Sequence, residues 1–337
     1  YQNSLDKVFI TGGLPPLDAH PDEIYRRTYK RVISKNKLFY QQFPEAKSNV
    51  LKIVDYLRLN KVILPNGERL TLQRFQQLGL NLGFSDGLAI LNYLFEDAFS
   101  KNKMTYTFLK NILTKQSFDT NPIFTILHEA CYAQKFSTNW SAYKIKNEFN
   151  EYNNKESAFH FTGEMLYPWM MDEYKELRPF KEVANRLAEK DDWPILYNSE
   201  TLKNNKVPTA AAVYTNDMYV DREYSMETAS KIKNIKVWET DQLEHNGLRS
   251  SGELVLKTLF KSLDQQVGKN NYTVFLTADH AVANIPDFSK KHKIPGGLIS
   301  ESGIKKELGQ LLLKQGLSDK LITAINEYNI HFNINKI

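Results

Sequence analysis

The sequence predicts an α/β protein in which a helical layer is followed by a small, mainly parallel sheet. Three observations predict it. From about residue 22 to 120, apolar residues recur at three- and four-residue spacing with almost no strand signal. After a polar stretch at 147–158 the pattern changes to short apolar runs ended by polar residues. Those runs alternate with helical segments. The order strand, helix, strand, helix, strand brings parallel strands together through crossover helices.

The elements follow in chain order. The opening YQNSLDKVFITGG begins as if in mid-element and lacks the basic region and apolar stretch of a signal peptide. Helices are predicted for EIYRRTYKRVISKNKLFYQQF, SNVLKIVDYLRL and DGLAILNYLFEDAF. Between the last two, Pro65-Asn66-Gly67 makes a turn and Thr71 is placed to cap another helix. NEFNEYNNKESA reads as a loop. VPTAAAVYT (207–215), IKVWET (235–240) and NYTVFLTAD (271–279) read as strands. REYSMETASKI and SGELVLKTLFKSLDQQVG read as the helices between them, with Ser250 or Ser251 capping the second.

Composition narrows the function classes. An apolar share of 42% over 337 residues is enough for an ordinary buried core. The net charge of +5 comes from 44 basic and 39 acidic residues with signs interspersed, as on a solvated surface. The local basic cluster Lys290-Lys291-His292-Lys293 is short, and no basic stripe interleaved with aromatics suggests nucleic-acid binding. No run of about 18 apolar residues predicts a membrane span. The single cysteine, Cys131, excludes an internal disulfide and a cysteine zinc cluster, and reads as a small buried apolar residue. It favours a reducing compartment, so a cytoplasmic location is expected.

In parallel sheets, functional groups gather just past the carboxyl ends of strands. That rule singles out Asn216-Asp217, Asp241 through His245, and Asp279-His280. Asp217 follows one strand and His245 the next, so a carboxylate and an imidazole arrive at the same edge. A serine hydrolase needs such a pair: histidine takes the serine proton, and the carboxylate fixes its tautomer and stabilises the imidazolium. On spacing alone, a turn aspartate and a surface histidine remain the alternative.

Longer segments narrow the choice. ITGGLPPLDAHPDEIYRRTYKRV, LPNGERLTLQRFQQLGLNLG, HEACYAQ, FTGEMLYPWM, LAEKDDWPILY, VPTAAAVYTNDMYVDREYS and DQLEHNGLRSSG closely resemble proline iminopeptidases, across roughly residues 1 to 255. The resemblance implies a partial α/β-hydrolase with a helical cap, acting without a cofactor on peptides that begin with proline. Within it, NDMYVD resembles the acid-bearing turn and EHNG the histidine loop, which makes Asp217 the triad acid and His245 the triad base. HEACYA resembles the cap segment whose glutamate binds the substrate's free amino group, which implies that role for Glu129. A helix-surface carboxylate is the alternative for Glu129. Glu96 and Glu164 are further candidates for the amine, and Tyr167 and Trp169 could wall a proline pocket or simply fill the core.

In that family the G-x-S-x-G nucleophile elbow lies shortly upstream of the segment resembling ITGGLPPL. The resemblance therefore puts the serine, the first strands and the oxyanion hole before Tyr1. Gly83-Phe84-Ser85-Asp86-Gly87 matches the elbow pattern, but an elbow turns from a buried strand into a helix. The residues before Ser85 are helical, so Ser85 reads as a helix start in the cap. Two expectations follow. The chain alone is inactive, and an unpaired sheet edge invites a missing N-terminal fragment or self-association.

From about residue 258, LFKSLDQQVGKNNYTVFLTADHAVANIPDFSKKHKIPGG resembles zinc-dependent alkaline phosphatases of the phosphate-irrepressible type. There a strand-end Asp-His pair ligates one zinc, which implies metal ligands at Asp279 and His280. Two ligands fall short of the three or four that hold zinc firmly, and His292 in its lysine-rich loop reads as solvated surface. The chain thus divides into a helical cap region (1–150), the C-terminal part of a hydrolase core (151–257) and a phosphatase-like fragment (258–337). A zinc phosphomonoesterase fragment and a non-catalytic remnant or chimera are the alternative readings.

Overall fold

The computed structural model describes residues 5, 7–152, 158–268, 301–314, 318, 322–326 and 329–332. It starts its helical layer with α1 (Pro21–Gln42), where the His20 side chain accepts from Asp22 N at 3.1 Å and Pro21 opens the first turn. α2 (Ala46–Leu59) follows. A short hairpin, Val62–Ile63 against Arg69–Leu70, closes around the Pro-Asn-Gly turn, with Gly67 at φ +84°. Thr71 caps the next helix as the sequence predicts, accepting from Arg74 N at 3.1 Å. A 3₁₀ segment, Gln77–Gly83, leads to α3 (Gly87–Glu96) and, after a second small hairpin, to α4 (Tyr106–Lys115).

The layer is held by aromatic packing. Phe95 stacks on Phe161 with centroids 5.4 Å apart, and Phe39, Phe75 and Phe159 meet them at tilted or edge-on angles. Offset and edge contacts of this kind add to the area that each ring buries.

The first unit, Tyr1–Asn271, also contains the sheet. Its strands are β1 (Val8–Ile10), β2 (Thr209–Tyr214) and β3 (Ile235–Thr240), in the order β1-β2-β3 and parallel throughout. The connection from β2 to β3 passes through α5 (Arg222–Ser230), and α6 (Gly252–Val267) follows β3. All six residues of β2 are buried, because helices cover both of its faces. Ala210, Ala212 and Tyr214 pack with Val255 and Leu259 of α6, whereas Ala211 packs with Ala229 of α5.

Three differences from the sequence reading have simple causes. Val8–Ile10 is a sheet strand inside the region read as helical cap, because three residues are too few to show a period of two. Ser251 sits before α6 but its side chain makes no capping hydrogen bond, and Ser250 belongs to the short helix Gly247–Ser250. The small hairpins escape notice because each strand is two residues long. The expected strand at 271–279 lies outside the described residues. The second unit, Tyr272–Ile337, has a described helix, Glu301–Lys314, and an antiparallel pair, Ile322–Asn326 with Asn329–Phe332. No helix among the described residues is long and apolar enough to cross a membrane.

One buried ion pair ties the first hairpin to the rest of the layer. The Arg74 guanidinium is fully buried, donates to Glu68 Oε2 at 2.9 Å and lies 4.0 Å from the Tyr174 ring centroid. Burial pushes the Glu68 carboxyl up, but hydrogen bonds from the Lys175 amide, Asn66 and Arg74 together hold it below its ordinary value. Its contribution to stability is therefore present above the unfolded carboxyl value and lost as pH falls through the folded one. Glu68→Ala leaves Arg74 as an unpaired buried charge. The expected loss is about 3 kcal/mol or more, read from the urea midpoint of the purified chain.

Candidate active site

β2 and β3 run side by side, with Tyr214 paired to Thr240 at their carboxyl ends. Asp217 leaves the first end and is almost fully buried. Its Oδ1 accepts from the amides of Tyr219 at 2.8 Å and Val220 at 3.0 Å. Asp221 ends the same loop by capping α5, accepting from Tyr224 N at 3.1 Å. His245 leaves the second end, and its Nδ1 lies 2.7 Å from Asp217 Oδ2. A carboxylate only accepts, so Nδ1 carries the proton and Nε2 is left as the basic nitrogen.

The ring is held on two sides. Tyr219 packs against it with centroids 4.7 Å apart, and the Tyr219 hydroxyl donates to Leu80 O. Gly12, just past β1, closes the other side at φ +83°, where an added Cβ would lie 3.2 Å from His245 Cε1. Only glycine combines that backbone angle with so close an approach. Burial pushes the His245 imidazolium down, whereas the Asp217 hydrogen bond and charge and the charge of Glu164 push it up. The charges prevail, and His245 titrates above its ordinary value. It faces an open hollow of about 400 Å³ lined by Phe84, His245, Asn246, Leu248 and Arg249.

Ser85 lies next to this hollow, which the sequence reading did not foresee. Its backbone N–H donates to Asn246 Oδ1 at 3.0 Å, and its exposed side chain makes no hydrogen bond to His245. The residues before it are the 3₁₀ segment, as expected of a helix start and not of an elbow.

The remaining candidates separate. Glu129 is buried, not on a helix surface, and both its oxygens are engaged: Oε1 accepts from Ala142 N at 2.9 Å and Oε2 from Ser141 N at 3.3 Å. It thereby holds the start of the helix Ser141–Lys146, where Trp140 adopts the left-handed region at φ 56°. Burial pushes the Glu129 carboxyl up, against its hydrogen bonds. A small cavity beside it is lined in part by Thr138, Trp140 and Trp193. Glu164 is half-buried, and its charge acts on His245, Tyr219, Tyr132 and Cys131. The charge of Glu129 also acts on Cys131, so the two carboxylates share one neighbourhood. Burial raises the Cys131 thiol to about 12, in keeping with a structural cysteine.

Glu96 is exposed at the end of α3 and accepts from Asn92 at 2.7 Å. Tyr167 is a core residue that stacks on Trp169 at 5.7 Å. Neither lines the hollow at His245. Asp279, His280 and His292 lie outside the described residues. Among the described residues no group of three or more His, Cys, Asp or Glu side chains is arranged to hold a metal ion. Sequence reasoning passed over Gly12 and Tyr219. The paired glycines after a strand were the available signal for the first, and nothing local marked the second.

No family model matches the chain. It is 44% identical over 262 residues to a proline iminopeptidase of Aeromonas sobria, covering 77% of this chain and 62% of that protein. The chain is similar to proline iminopeptidases. The proline iminopeptidase aneH of Aspergillus aculeatus is 31% identical over 273 residues, 79% of this chain and 60% of the relative. The chain thus spans about three-fifths of the length of these proline iminopeptidases. A shorter likeness, 33% over 131 residues, links 36% of the chain to 23% of the alkaline phosphatase PafA of Elizabethkingia meningoseptica.

The balance at His245 is testable by proton NMR of its Cε1–H. Asp217→Asn removes the hydrogen-bonded charge and leaves the burial, the largest influence, opposed by Glu164 alone, so His245 is expected to fall below about 6.5. In the parent, protonation of His245 adds stability that is fully present below that ordinary value. It is lost as pH rises through the folded value.

Proposed function

We propose that the chain carries the acid and base of a serine hydrolase of the α/β-hydrolase fold that releases N-terminal proline from peptides. The observation that carries this reading is the 2.7 Å contact between Asp217 and His245 at neighbouring strand ends, within a chain similar to proline iminopeptidases. In this reading the helical layer is the cap over the sheet.

His245 Nε2 takes the proton of the attacking hydroxyl and returns it to the leaving amine. Asp217, fixed by the Tyr219 and Val220 amides, keeps Nδ1 protonated and stabilises the imidazolium that forms. No cofactor is needed for these proton transfers. The cationic imino group of an N-terminal proline is assigned to the neighbourhood of Glu129 and Glu164, whose charges act together on Cys131. Glu164 is the nearer of the two in effect, because its charge also acts on His245.

Among the described residues no serine, threonine or cysteine side chain hydrogen-bonds to His245, so the nucleophile is assigned to residues outside them. β1 has a strand neighbour on one side among the described residues. Its other edge is assigned to an N-terminal segment or a second copy. A second reading rests on the shorter likeness to alkaline phosphatases. It assigns Asp279 and His280 to zinc, and the absence of binding in calorimetry at micromolar zinc removes it.

The test uses L-proline p-nitroanilide. The chain alone is expected to give no turnover. Adding a fragment made from the unmatched part of the Aeromonas sobria relative restores it, and His245→Ala or Asp217→Asn in the chain lowers the restored kcat by about 10³-fold or more. Restored turnover that survives His245→Ala overturns the reading. Turnover by the chain alone that vanishes in Ser85→Ala moves the nucleophile to Ser85.

A further inference from the structure

Arg27, Arg31 and Lys35 lie at four-residue intervals on α1, which puts three cations on one face of the helix. All three reach the loops at the carboxyl edge of the sheet. Arg27 Nη1 donates to Asp221 Oδ1 at 3.2 Å. Arg31 donates to Thr215 O at 3.1 Å and to Glu223 Oε2 at 2.8 Å. Lys35 Nζ pairs with Glu244 Oε1. Thr215 and Asp221 bracket Asp217, and Glu244 precedes His245. One helix face therefore grips the loops that carry both members of the dyad.

The third contact differs in kind from the others. The Arg27 and Arg31 side chains are 45% and 26% exposed, and pairs in such settings are screened and weak. Lys35 is 9% exposed at its side chain, and its partner Glu244 is 23% exposed. Glu244 Oε2 is buried and has no hydrogen-bond partner among the described residues. Burial pushes the Glu244 carboxyl up, Lys35 draws it down, and the charge of Asp217 pushes it up again. The Asp217 and Glu244 carboxylates thus repel each other, and Lys35 is the cation in contact with the second.

We propose that Lys35 is a positioning residue for the Asp217–His245 dyad. By pairing with Glu244 it keeps the histidine loop docked on α1 and keeps a second unpaired negative charge away from the imidazole. The proposal rests on the serine-hydrolase reading of the dyad and adds a residue remote in sequence to it. Asp217, Glu164 and Tyr219 also face His245, and the variants below leave them in place.

The test follows the His245 Cε1–H titration in the chain as it stands. Glu244→Gln leaves the Lys35 cation unpaired and moves the His245 midpoint down by about half a pH unit or more. Lys35→Met leaves the Glu244 carboxylate unpaired and moves the midpoint up. The double variant returns it to the parent value. A purely structural role makes the double variant at least as displaced as either single one. Circular dichroism checks folding. If one single variant does not fold, the other and the double variant decide. Unchanged midpoints, shifts of the same sign in both single variants, or a double variant at least as displaced as either single one overturn the proposal. If Asp217→Asn also leaves His245 unmoved, the dyad reading fails with it. If Asp217→Asn lowers His245 and the Lys35 and Glu244 variants do nothing, the proposal alone fails.

Discussion

The parallel pairing of β2 with β3 is the constraint on which the site depends. Parallel strands leave a sheet at the same edge, so the loops after Tyr214 and Thr240 start side by side. Asp217 and His245 are each only a few residues beyond those ends. A register slip of two residues would carry one loop about 6.6 Å along the other, more than enough to break a 2.7 Å contact. The register is in turn fixed by packing. Alternate residues of β2 face α6 and α5, and the run of alanines lets both helices approach the strand closely.

Around that contact the chemistry is a balance of burial against charge. A base works best when its proton affinity matches the working pH. Burial alone would lower the proton affinity of His245, and an exposed pair would lose much of its coupling to solvent screening. The chain keeps the ring partly covered by Tyr219 and Gly12 while Asp217 and Glu164 supply the opposing field. Asp217 is anchored by two backbone amides, so its orientation depends on loop geometry and not on a mobile side chain.

The sequence made some of this legible and hid the rest for physical reasons. The helices of the layer and the strands at 209–214 and 235–240 were readable because each carries several turns or a full apolar run. Asp217 and His245 were readable because strand-end placement is a local property. Glu129 was singled out, but its two backbone partners were not, because Ser141 and Ala142 meet it beyond a left-handed Trp140 that no local pattern marks. The coupling of Glu164 to His245 spans 81 positions of sequence, and Lys35 is more than 200 positions from Glu244. No periodicity reports contacts of that kind. β1 was missed because three residues next to a double glycine carry too little pattern.

The match of Gly83 through Gly87 to a nucleophile elbow has a packing explanation. An added Cβ at Gly83 would lie 2.2 Å from the Tyr219 ring, and one at Gly87 would lie 1.6 Å from Asn81 O. Both glycines are therefore required by close contacts that owe nothing to a reactive serine. Between them the backbone of Ser85 bonds to Asn246, and Phe84 packs on Tyr219 and under Arg249. The turn packs against the loops that follow β2 and β3. An elbow turn serves to expose a serine oxygen to its base. Here the backbone amide of Ser85 makes the contact, its neighbours supply the packing, and the side chain points no hydrogen bond at His245. The glycine spacing is accounted for by the contact of Gly83 with Tyr219 and the closure of Gly87 on Asn81 within its own turn.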